Sequence, residues 1–142
     1  MILVDANVLI YAIDADSPHH SPARRWLEET LSGTTPVGLA WVVILAFLRI
    51  TTRSGILLSP LSPERAMEYV DEWLAQPYVR AVAPGEGHWT ILRKLLRDSG
   101  TAGNLTSDAH LAAVALELGA SICSTDGDFE RFPGIERVNP LR

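Results

Sequence analysis

Two apolar runs of this sequence end in an aspartate: Leu3-Val4-Asp5 near the start, and Ile122-Cys123-Ser124-Thr125-Asp126 near the end. A third acid, Asp108, heads the segment Thr106–Leu118, and Leu111, Ala112 and Ala115 follow it at spacings of three, four and seven. Residues so spaced share one face of a helix. A fourth acid, Asp128, follows Asp126 across one glycine, Gly127, which lets the backbone bend tightly enough to bring two carboxylates together. Gathered carboxylates repel one another and raise each other's pKa, so an ionised cluster persists only beside a neutralising cation. Mg²⁺ or Mn²⁺ is the natural occupant, because hard cations take oxygen ligands, keep waters, and can activate a water while polarising a phosphodiester. Each acid also has a plainer reading. Asp5, Asp108 and Asp128 stand where acids cap helices or meet the positive end of the helix dipole, and Asp126 stands where aspartate makes turns. Only their joint placement points to phosphodiester hydrolysis.

The elements around these acids decide whether they can meet. Ile2–Val4 reads as a strand, and Val8–Ile13 as a helix after the cap signal Asp5-Ala6-Asn7. Pro22–Leu31 places Ala23, Trp26, Leu27 and Thr30 at helical spacing; Val37–Leu39 is a brief strand, and the length of the apolar run Ala40–Thr52 favours a helix. Ser62-Pro63-Glu64-Arg65 combines a cap residue, a proline at the first helical position and an acid in the first turn, followed by Ala66, Tyr69, Val70, Trp73 and Leu74 at helical period. Val79–Val82 predicts a strand and Glu86–Arg97 a helix ending at Ser99-Gly100. Thr106–Leu118 is apolar almost all round and should be sandwiched between neighbours. Ala120–Ser124 and Arg137-Val138 complete the set as strands. Short strands alternating with long helices predict an α/β fold of three layers over one domain, residues 1–142, with a mainly parallel sheet. In such sheets the ligand site lies beyond the carboxyl ends of the strands, where Asp5 and Asp126 stand.

Composition narrows the function classes. Seventeen acids against twelve bases give a net charge of −5, unlike the excess of Lys and Arg that marks a protein held to nucleic acid by bulk charge. A carboxylate site built around cations would itself contribute to that negative balance. The single cysteine, Cys123, excludes an internal disulfide and a cysteine-based zinc cluster, and fits a reducing cytoplasm. Met1-Ile2-Leu3-Val4 meets Asp5 at once, so no export signal is expected. The apolar stretch Leu39–Leu48 has about half the length a bilayer requires, so no membrane span is expected either. Pro84-Gly85-Glu86-Gly87 lacks the glycine spacing and lysine of a phosphate-binding loop.

Several segments in order resemble the PIN-domain family, in particular its VapC toxins: Asp5-Ala6-Asn7-Val8-Leu9-Ile10-Tyr11-Ala12, Phe47-Leu48-Arg49-Ile50-Thr51-Thr52, Gly103-Asn104-Leu105 with Asp108-Ala109-His110-Leu111-Ala112-Ala113, and Ser124-Thr125-Asp126-Gly127-Asp128-Phe129. The resemblance implies a Mg²⁺-dependent endoribonuclease that acts as the toxin of a toxin–antitoxin pair. Its implied metal ligands are Asp5, Asp108 and Asp126, with Asp128 auxiliary and the Thr125 hydroxyl orienting a water or phosphate. It also implies a small antitoxin partner, an RNA substrate and a homodimer. One departure stands out. Many relatives carry a glutamate three residues before the arginine, and here that position is Ala46. Arg49 and Arg53 share a helical face with Ala46, placing them either on RNA phosphates or in salt bridges with neighbouring acids. Arg93, Lys94 and Arg97 read more simply as a solvated helix face. The four tryptophans, Trp26, Trp41, Trp73 and Trp89, read as core or subunit-interface residues rather than stacking platforms for bases, and the histidines as structural. Two other functions fit an α/β fold with an acid after a strand. One is a non-catalytic binding module, which the missing acid at Ala46 permits. The other is an aspartyl-phosphate protein, against which Asp5-Ala6-Asn7 lacks the second acid of the phosphatase pattern.

Overall fold

β1 (Ile2–Val4) runs into α1 (Ala6–Ile13) with only Asp5 between them, and α2 (His20–Leu31) packs back on α1. β2 (Val37–Ala40) passes without a loop into α3 (Trp41–Thr52); then come α4 (Pro63–Leu74), β3 (Val79–Val82), α5 (His88–Ser99), α6 (Thr106–Leu118), β4 (Ser121–Cys123) and β5 (Arg137–Val138). The computed structural model describes all of residues 1–142. The strands form one sheet in the order β3-β2-β1-β4-β5, every pair parallel, so the mainly parallel sheet expected is wholly parallel. Helices cover both of its faces in three layers, and no helix is long and apolar enough to cross a membrane.

The chain reverses its direction of winding between β1 and β4, the two strands expected to end in acids. Their register pairs Val4 with Cys123, and the Asp5 amide donates to the Cys123 carbonyl at 2.9 Å. Asp5 and Ser124 therefore leave the sheet side by side. Gly38, in β2, is held by packing: a Cβ there would come within 2.5 Å of Leu3 Cδ2 and 3.3 Å of Met1 Sδ.

α3 buries Val43, Ile44, Phe47 and Thr51; Phe47 meets the Trp73 ring of α4 edge-on at 4.8 Å, and the buried Thr51 hydroxyl donates to the Phe47 carbonyl at 2.7 Å. Deleting a buried ring of this kind costs about 3–5 kcal/mol, so α3 and α4 are firmly joined. α6 buries Ala109 and the unbroken run Leu111–Ala115, because α5 lies on one side of it and β4 on another. Small side chains at Ala109, Ala112 and Ala113 allow that double contact.

Boundaries moved where caps lay closer than periodicity suggested. α1 begins at Ala6, directly after its cap Asp5, and α2 begins at His20 because a proline in the first turn gives up only an unused amide. Two short 3₁₀ turns, Gly103–Leu105 and Gly127–Arg131, were not legible in the sequence, and each leads to or from an acid.

Candidate metal centre

The side chains at the ends of β1 and β4 are laced together. Asp5 Oδ1 accepts from the Ala6 amide at 2.8 Å, so the capping role is real. Asp5 Oδ2 accepts from the Ser124 hydroxyl at 2.7 Å and from Asn7 Nδ2 at 3.3 Å. Ser124 Oγ in turn accepts from the Asp126 amide at 3.0 Å and from Asn7 Nδ2 at 3.2 Å, and Asn7 Oδ1 accepts from the Thr125 amide at 3.3 Å. Asp126 Oδ1 then accepts from the Asp128 amide at 2.8 Å, capping the 3₁₀ turn. Ser124 is fully buried and forms the hub of this network.

Into this rim α6 brings Asp108 in its first turn. Asp108 caps nothing, unlike Asp5 and Asp126. Carboxylate oxygens of Asp108, Asp126 and Asp128 lie within 4.8 Å of one another. Burial, followed by the charges of Asp126, Asp5 and Asp128 and a hydrogen bond with Asp126, pushes the Asp108 carboxyl up to about 6. Asp5 is also raised, mainly by burial, with the Ser124 and Ala6 hydrogen bonds pulling the other way. Like charges that raise a pKa this far favour either a proton or a metal cation. The donor set consists of carboxylate oxygen, without sulfur or imidazole, and fits a hard divalent ion. Three of the four acids named from the sequence, Asp108, Asp126 and Asp128, therefore meet, and Asp5 stands near enough to feel the charge of Asp126. Asp128 belongs to the closest trio, whereas Asp5 is held by its own hydrogen bonds at the trio's edge.

A cleft of about 150 Å³ opens beside Asp5 and Asp108, lined also by Ala6, Val42, Val43, Ala46, Arg49, Ser107 and Leu111. Ala46 thus faces the acids, as its register implied. Arg49 lines the cleft without an ion pair to any acid, while Arg53 is exposed beyond the last turn of α3 and does not line it. Thr125 joins the network through its backbone amide, not its hydroxyl. Cys123 is buried and its thiol is pushed up to about 12, which keeps it inert. His110 turns from the acids to His88, with ring nitrogens 3.0 Å apart. Lys94 pairs with Asp98, and Arg93 and Arg97 are exposed, as a solvated face requires. Trp73 is core, but Trp41 and Trp89 are half or more exposed. Asn7 and Ser124 carry the network although the sequence alone marks no role for them; the spacing Ser-x-Asp after a strand is the signal it offers.

A larger concavity, about 710 Å³, lies elsewhere, between α1 and α2 on one side and α4 on the other. Ala12, Leu27, Leu31 and Trp73 line it, with Arg24, Glu28, Arg65 and Glu72 among its polar residues.

A parallel sheet with an aspartate cluster at its switch point defines a three-layer α/β protein whose acidic, oxygen-only group could hold a hard cation. The chain belongs to the PIN domain family, whose profile matches residues 2–135. It is 49% identical over 140 residues to ribonuclease VapC37 of Mycobacterium tuberculosis, covering 99% of this chain and 97% of that protein. Ribonuclease VapC33 of the same species is 42% identical over 142 residues, covering 100% and 99%. Among solved structures, VapBC2 from Rickettsia felis bound to a promoter DNA fragment superposes with a TM-score of 0.71 at 18% identity, covering 98% of each chain, a likeness of fold.

Proposed function

We propose that this chain is a Mg²⁺-dependent endoribonuclease acting as the toxin of a type II toxin–antitoxin pair in the cytoplasm. The observation that carries the reading is the meeting of Asp108, Asp126 and Asp128 oxygens within 4.8 Å beside Asp5. Near full-length relatives named ribonuclease VapC support RNA as substrate. Asp108, Asp126 and Asp128 would hold Mg²⁺ or Mn²⁺, with Asp5, the ligand implied by family resemblance, completing the set. Bound there, a divalent cation supplies Lewis-acid polarisation of a phosphodiester and a water acidified to a nucleophile. The residues do the rest. Asp108 sheds its proton to open the site, Ser124 and Asn7 fix the Asp5 carboxylate, and the unpaired Arg49 guanidinium holds a phosphate oxygen of RNA in the cleft. Arg53 continues that basic line outside it, and Thr125 orders the rim through its amide.

The groove between α2 and α4 suits an amphipathic helix of a small antitoxin, whose apolar face would meet Leu27, Leu31 and Trp73. A basic residue of that partner would pair with the acids. Trp41 and Leu45 on α3 and Trp89 on α5, left in solvent, are among the large apolar side chains available to a homodimer. Expression without the partner is expected to arrest growth and the purified chain to cut RNA in Mg²⁺, whereas Asp126→Asn should do neither. Harmless growth of both in the native host would refute the toxin role, and intact RNA in Mg²⁺ would refute the nuclease.

Ala46 gives a separate test. Its side chain faces the cleft beside Asp5 and Asp108, so Ala46→Glu adds a carboxylate to an already strained cluster. Without a cation the added charge destabilises the fold; with one it adds a ligand. A larger Mg²⁺-induced rise in melting temperature than in wild type is expected. Equal rises in thermal melts would mean that a carboxylate at position 46 does not reach the cation.

A further inference from the structure

One side chain ties both ends of the segment that carries Asp126 and Asp128. Arg137 lies on the edge strand β5, opposite Ile122 of β4. Its Nη1 donates to the Ser124 carbonyl at 3.2 Å and its Nη2 to Glu130 Oε1 at 2.7 Å. The first contact stands two residues before Asp126 and the second two residues after Asp128. Between them the Asp126 amide is held by Ser124 Oγ and the Asp128 amide by Asp126 Oδ1. The Arg137 side chain is only 12% exposed, whereas Glu130 is 68% exposed, and Arg137 Nε is buried with no partner in the chain. Burying a guanidinium with an unused donor is unfavourable. An apolar side chain on this strand would avoid that cost but could not bridge a carbonyl and a carboxylate six residues from each other. The forked guanidinium can do both at once, because its donors are fixed in one plane.

We infer that Arg137 is a positioning residue that sets the affinity of the acidic centre for its divalent cation by clamping Ser124 to Glu130. The inference rests on the cation centre proposed above. Arg137 makes no ion pair with Asp5, Asp108, Asp126 or Asp128 and therefore acts through the backbone between its two anchors. Without the clamp the Gly127–Arg131 turn samples wider arrangements, and the cation must gather the carboxylates as it binds. Affinity falls, while the reaction at saturating cation persists because the acids themselves are unchanged.

The test uses the full chain and Mn²⁺ as probe, with free Mn²⁺ read by electron paramagnetic resonance and RNA cleavage followed against Mn²⁺ concentration. Losing the group that holds a metal ligand in place typically weakens binding by about 10–100-fold, so Arg137→Met should raise the Mn²⁺ dissociation constant by about tenfold or more. Its cleavage rate at saturating Mn²⁺ should stay within about twofold of wild type on this reading. Arg137→Lys, which can reach only one anchor at a time, should lie between. Glu130→Gln removes the charge of one exposed anchor, endangers the fold little, and should show the same affinity loss in smaller degree. Arg137→Met or Glu130→Gln with wild-type Mn²⁺ affinity overturns the clamp, as does a lower saturated rate at unchanged affinity. A wild-type chain that takes up no Mn²⁺ overturns the cation centre itself, and the clamp with it.

Discussion

Asp108→Asn is expected to lower divalent-dependent RNA cleavage by about a hundredfold or more, since losing a ligand costs at least as much as losing the groups that support one, and to leave the cation-free protein as stable as wild type or more so. Both halves follow from the same geometry. Asp108 caps no helix, and its neighbours Asp126, Asp5 and Asp128 all oppose its charge. Asparagine keeps the shape and removes the repulsion. Asp5→Asn should behave differently, because Asp5 Oδ2 accepts from the Ser124 hydroxyl and Asn7 Nδ2, and an amide nitrogen placed there cannot accept. That variant should lose activity and stability together. RNA cleavage in Mg²⁺ alongside thermal melts in a chelator distinguishes the two. Wild-type cleavage by folded Asp108→Asn would remove Asp108 from the chemistry.

The acids were legible because each stands at an element boundary that sequence marks locally. Leu3-Val4-Asp5 announces a strand end, and Asp108 with Leu111, Ala112 and Ala115 announces a helix face. Parallel order followed from alternating strands and helices. What stayed hidden depends on register between distant strands. Nothing around Arg137 indicates that β5 will lie against β4 and bring its guanidinium to the Ser124 carbonyl. The buried Ser124 is likewise ordinary until β1 and β4 pair and Asp5 arrives beside it. Arg53 is a different case. Helical spacing put it on the face of Ala46 and Arg49, and it stands at the C-cap of α3, exposed and outside the cleft that those two line. Periodicity also could not say which apolar faces find a neighbour: Trp73 is buried against Phe47, while Trp89 is left 65% exposed.

The raised Asp108 carboxyl sets an opposite pH dependence for the cation-free and cation-loaded states. Burial and neighbouring acids move it from an ordinary 3.8 to about 6 in the folded, cation-free chain. Between those values the folded state holds a proton that the unfolded state has released, so stability falls as pH rises. The Asp108 contribution is fully present below about 3.8 and gone above about 6. His110 works in the other direction. Burial and His88 lower it from 6.5, so its contribution is present above that value and lost as pH falls through the folded pKa. Comparison with Asp108→Asn, which keeps His110, isolates the acid. Cation binding reverses the sign, because a ligand must be deprotonated and protons then compete with the metal. For one proton with a pKa of about 6, apparent affinity should drop about tenfold from pH 7 to pH 5 and change little above pH 7. Mg²⁺ titrations and melts across pH 5–8 should therefore give a cation-induced stabilisation that grows with pH and levels off near neutrality. A stabilisation independent of pH over that range would show that the cation does not displace the Asp108 proton, and would place the binding site elsewhere.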